Sequence, residues 1–162
     1  MSQSSETRVP WTSVLVDNAK MLVMYGLGMA IIATVGWPLS LAYLAYCLLS
    51  LLAFIRLICP YCFRYRLGTC LSGYHSFARW FKPQDVKKFP TQFKRYIALL
   101  FPVWFLPPLI GGYRLFTHFS WLLVIQLGLF CLVAFVILPY ISGQHSCKTC
   151  ENAENCPWRK DK

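Results

Sequence analysis

The stretch PLSLAYLAYCLLSLLAFI, Pro38–Ile55, decides the fold. It holds no charge, and its apolar residues follow one another without the spacing that would mark a single buried face. A membrane span needs about 20 predominantly apolar residues, with a range of roughly 17–25, and 38–58 meets that. Upstream, Met21–Gly36 (MLVMYGLGMAIIATVG) reaches span length when Val14, Leu15 and Val16 extend it, giving 14–36. Downstream, Ile97–Tyr113 (IALLFPVWFLPPLIGGY) and Trp121–Ile141 give spans at 97–115 and 121–141. The stretches Met21–Gly36, Pro38–Ile55, Ile97–Tyr113 and Trp121–Ile141 contain no Asp, Glu or His. The fold expected is all-α: one polytopic membrane domain over 1–162 with four transmembrane helices.

Composition agrees. The chain of 162 residues is 57% hydrophobic and 14% charged, against roughly 25% charged in soluble domains. In Met1–Lys20, Glu6, Arg8, Pro10 and Asp17 interrupt any secretory signal. The first span is therefore expected to insert and stay in place. The junction Trp37-Pro38 leaves no room for a polar loop, so the first two helices are expected to form a tight antiparallel hairpin. Pro102, Pro107, Pro108, Gly111 and Gly112 predict a bent or broken third span. Lipid tolerates such a break only where neighbouring helices or water satisfy the freed backbone groups. A kink that serves packing and a cleft that holds a quinone or lipid are the two readings.

Orientation follows from the cations. Of 16 Lys and Arg residues, all but Arg114 lie in the N-terminal tail, the loop between spans two and three, or the C-terminal tail. The positive-inside rule puts those segments in the cytoplasm. The expectation is a multi-pass protein of the cell's inner membrane with both termini cytoplasmic, a basic cysteine-bearing loop at 59–96 and a Cys-rich tail at 142–162. The net charge of +10 then belongs to one face. Arg56, Arg64, Arg66, Arg79, Lys82, Lys87, Lys88, Lys94 and Arg95 crowd the loop, a patch suited to anionic lipids or an acidic partner subunit. Nothing resembles a groove-reading or RNA-binding motif, so nucleic acid is not an expected partner.

Six of the eight cysteines form the cytoplasmic cap. Cys59, Cys62 and Cys70 read C-x2-C-x7-C; Cys147, Cys150 and Cys156 read C-x2-C-x5-C. Thiols held close together on a reducing side point to metal ligation more than to disulfides. A C-x2-C pair grips one metal if the backbone between the thiols turns, and two such pairs make the four-thiolate tetrahedron of structural zinc. His75 follows Cys70 and His145 precedes Cys147, so two Cys3His sites are the other arrangement, and an iron–sulfur cluster with a spare pair is a third. Zinc and iron–sulfur stay open at this point. Cys47 and Cys131 fall inside spans two and four and are expected to pack as small hydrophobes.

The segment Cys147–Pro157 (CKTCENAENCP) resembles, over eleven residues, the C-x2-C-x5-C core of the auxiliary iron–sulfur domains of some radical enzymes. Those domains continue with a further cysteine where this chain has Lys160. Four spans with two cysteine pairs also look broadly like the quinone-linked disulfide-forming enzymes and vitamin K epoxide reductases. In those families the reactive pairs face the oxidising side.

With no histidine in a span, transmembrane haem held by two histidines has no ligands at membrane depth. With no acid in a span, ion-coupled transport lacks its usual intramembrane carboxylate. Phosphate loops, zinc-protease motifs and catalytic triads are absent. The function expected is a non-catalytic membrane subunit or scaffold of a larger redox complex, carrying a cysteine-ligated metal or iron–sulfur centre. The alternative is a membrane thiol–disulfide oxidoreductase that pairs its CxxC motifs with a quinone.

Overall fold

In a computed structural model the described residues are 11–62, 70, 72–74 and 80–141, and they are all-helical, with turns between. Four helical stretches are long and apolar enough to cross a membrane: Val14–Ala33, Trp37–Tyr61, Val86–Thr117 and Trp121–Ile141. Helix α1 (Trp11–Ala33) and helix α2 (Trp37–Leu57) form the tight hairpin. The chain reverses within Thr34–Gly36, where the N–H groups of Thr34 and Val35 bond Ile31 and Ile32 carbonyls. Pro38 sits in the first turn of α2, where its missing N–H costs nothing. The Arg114 guanidinium, from the third span, donates to the Thr34 carbonyl at 2.7 Å. That bond covers one of the carbonyls left unpaired at the end of α1.

Helix α1 is the hub, packing against α2 and against both later spans. It also differs from the charge-free span expected, because it carries Asp17 and Lys20 within Val14–Ala33. The two residues pair with each other, and that pairing lowers the cost of holding charge beside the bilayer.

The third span is built in pieces. A short helix α3 (Phe89–Tyr96) leads through a 3₁₀ turn, Ile97–Leu100, into helix α4 (Phe101–Thr117). Pro107 and Pro108 lie inside α4, which runs on past them. Pro107 has no N–H for the Val103 carbonyl, its partner four residues back. The buried Tyr43 hydroxyl of α2 donates to that carbonyl at 2.9 Å instead. One turn along, the Tyr46 hydroxyl donates to the Leu99 carbonyl at 2.8 Å. At Gly111 a β-carbon would stand 2.9 Å from Ile31 and 3.1 Å from Leu127. This side of the proline run is thus filled by neighbouring helices, as a packing kink requires.

The fourth span is helix α5 (Trp121–Cys131), a π-helical segment at Leu132–Ile137, and a closing turn α6 (Leu138–Ile141). Pro139 withholds the N–H that the Phe135 carbonyl would use in an α-helix. The segment before it shifts to bonds five residues apart, as from Leu138 N–H to Val133 O. Phe130, Ala134 and Leu138 stay buried together at a spacing of four. In a regular helix at 100° per residue that spacing would drift around the axis, and the wider π turn absorbs the drift. Phe135 meets Trp104 and Phe105 of α4, each at a ring separation of 5.8 Å. The faces turned outward are predominantly apolar, with Leu22, Leu49, Leu122 and Ile125 all more than half exposed. A soluble protein rarely leaves so continuous an apolar surface bare.

Candidate functional site: the thiol-bearing end

Helix α2 ends at Leu57, and the chain continues as one 3₁₀ turn, Cys59–Tyr61. Pro60 sets the dihedral for that turn and is buried. The Cys62 N–H closes it on the Cys59 carbonyl at 2.9 Å, and the Gln84 N–H pins the Pro60 carbonyl at 2.9 Å. In 3₁₀ geometry residues three apart lie over one another. The backbone between Cys59 and Cys62 therefore turns. Cys59 and Cys70 are free thiols, and all three cysteines of the first cluster are half-buried.

Cys70 opens a second turn, closed by the Gly73 N–H on the Cys70 carbonyl at 3.1 Å. Gly73 has φ of 73°, a left-handed conformation that costs other residues roughly 1–2 kcal/mol. A β-carbon there would also stand 3.0 Å from Val14. Helix α1 holds this turn through a polar latch. The Asn18 side-chain amide donates to the Ser72 carbonyl at 3.2 Å and to Val14 at 2.8 Å. The Ser72 hydroxyl bonds the Asp17 carboxylate, which Lys20 also holds.

Tyr74 follows the second turn directly. Burial pushes its phenol well above the ordinary range, and Tyr25, Asp17, Cys59 and Cys70 add to the shift. Cys59 and Cys70 therefore stand near enough to one phenol to act on it. Even so, among the described residues no three His, Cys, Asp or Glu side chains stand close enough together to hold a metal ion. Three cysteines from the first cluster share this end of the molecule without closing a site themselves.

Cys147, Cys150 and Cys156, together with His75 and His145, lie outside the described residues. Cys47 is fully buried in α2 and Cys131 half-buried in α5. The residues that sequence reasoning passed over are Asp17, Asn18, Lys20, Ser72 and Tyr74. Their signal was the D-N-x-K run of Asp17–Lys20, polar residues at helical spacing where an apolar span was already beginning. Compared with models of known protein families, with curated proteins and with solved structures, the chain matches none.

Proposed function

We propose that this chain is a small integral subunit of a larger redox assembly in the inner membrane, with a cysteine-ligated zinc or iron–sulfur centre on its cytoplasmic face. The observation that supports this most is the backbone turn between Cys59 and Cys62 at the end of α2, with the Cys70 turn latched to α1. Cys147 and Cys150 supply the second pair of the tetrahedron, and Cys156, His75 and His145 are the remaining donors. Both termini lie in the cytoplasm in this reading, because all but Arg114 of the Lys and Arg residues fall on that side. The spans hold no histidine for haem. Electrons then enter and leave at one face, so the work needs neighbouring subunits or a quinone.

Anaerobic purification followed by metal analysis and visible absorption is the test. Iron with sulfide, or zinc, is expected in the wild type, and both Cys59→Ser and Cys150→Ser should lose it if the site is shared. A metal-free chain that still assembles with its partners ends this reading. An isolated chain that reduces a quinone with dithiol substrates establishes the thiol–disulfide oxidoreductase instead.

A further inference from the structure

At the foot of α2 and α3 the described residues line an open cleft of about 300 Å³, among them Arg56, Tyr61, Phe81, Lys82, Gln92 and Tyr96. That volume falls at the lower bound of small-molecule sites, roughly 300–1,000 Å³. Its lining offers two cations and several hydrogen-bond donors, and it contains no Asp or Glu. Among the described residues neither Arg56 nor Lys82 meets a carboxylate. The nearby Asp85 caps its own turn, accepting from the Lys87 N–H at 3.0 Å. The Arg56 guanidinium stacks over the Phe81 ring, 5.4 Å from its centre. Stacking occupies the face of the guanidinium and leaves its N–H edge for a two-pronged acceptor such as phosphate.

An apolar track leads from the cleft into the bilayer region. Leu52 and Leu49 stand four and seven residues before Arg56, on the same side of α2, and are 62% and 64% exposed. An acidic protein segment would use the cations and have no use for the leucines. A phospholipid uses both, its chain lying on the leucines and its phosphate in the cleft. Basic pockets beside spans on the cytoplasmic side are known to take such headgroups. We propose that this cleft seats the phosphate of an anionic phospholipid. The proposal goes beyond the metal centre and does not depend on it.

The test is native mass spectrometry of the full chain, released from micelles containing equal amounts of phosphatidylglycerol and phosphatidylcholine. The wild type should retain phosphatidylglycerol preferentially. Arg56→Gln with Lys82→Gln should weaken that retention about thirtyfold, the factor carried by two headgroup-facing charges. Lys87→Gln with Lys88→Gln removes equal charge outside the cleft lining and should weaken retention far less. Equal retention of the two lipids by the wild type overturns the proposal, and so does equal loss in both double variants. Displacement of the lipid by millimolar inorganic phosphate would assign the cleft to a free anion, and displacement by an acidic peptide to a protein partner. Either result overturns the lipid reading.

Discussion

The Tyr43 hydroxyl stands in at Val103 for the N–H that Pro107 lacks, so an oxygen of α2 supports the proline-bearing helix. Hydrogen bonds between spans average about 0.6 kcal/mol and reach about 1.7. Tyr43→Phe should therefore cost about 1 kcal/mol, read from unfolding of the chain in mixed micelles. Gly28→Ala should cost part of the same energy, because its β-carbon would stand 2.6 Å from the Tyr43 hydroxyl oxygen. The double variant should lose less than the sum of the two. At the latch, Gly73→Ala should cost about 1–2 kcal/mol from its left-handed backbone, with the Val14 contact adding to it. Tyr74 sets a pH dependence. Its raised pKa in the folded chain means that the stability contributed by the neutral phenol is complete below about 10. It is lost as pH climbs through the folded value. Tyr74→Phe should make the alkaline decline of the melting temperature less steep. None of these contacts shows in the order of residues, because each joins positions far apart along the chain.

At the scale of elements, the four spans were legible because lipid surrounds them. A helix with apolar neighbours on every side announces itself by composition alone, whatever it packs against. The π segment was not, although Pro139 was its visible cause, since whether a proline bends, breaks or widens a helix depends on the neighbours. Ala134 tests the consequence. It is fully buried within Leu132–Ile137, and Ala134→Leu should destabilise by about 1–3 kcal/mol through overpacking. Val136→Leu, on the exposed side of the same segment, should change the unfolding midpoint little. The charge at the start of the first span was misjudged for a related reason. Asp17 and Lys20 read as tail because isolated charges avoid the bilayer, whereas as a pair inside α1 they neutralise each other.

For the whole molecule, the hairpins and the bond from Arg114 to Thr34 set the loop after α4 at the end where α1 meets α2. Gln84 lies at the other end, bonded through its N–H to Pro60. Cysteines introduced at Thr117 and at Gln84 should accordingly label from opposite sides of the membrane, and labelling of both from one side would end this topology. The candidate site was legible by half. Pro60 foretold the backbone turn between Cys59 and Cys62, while the second cluster lies among residues outside those described. The Tyr43–Val103 bond ties residue 43 to residue 107 in descent as well. A lineage in which another residue replaces Pro107 regains the N–H that Val103 needs, and selection on the hydroxyl of residue 43 then relaxes. Pro107 and Tyr43 should thus be inherited as a pair, with phenylalanine at 43 tolerated only where 107 is no longer proline.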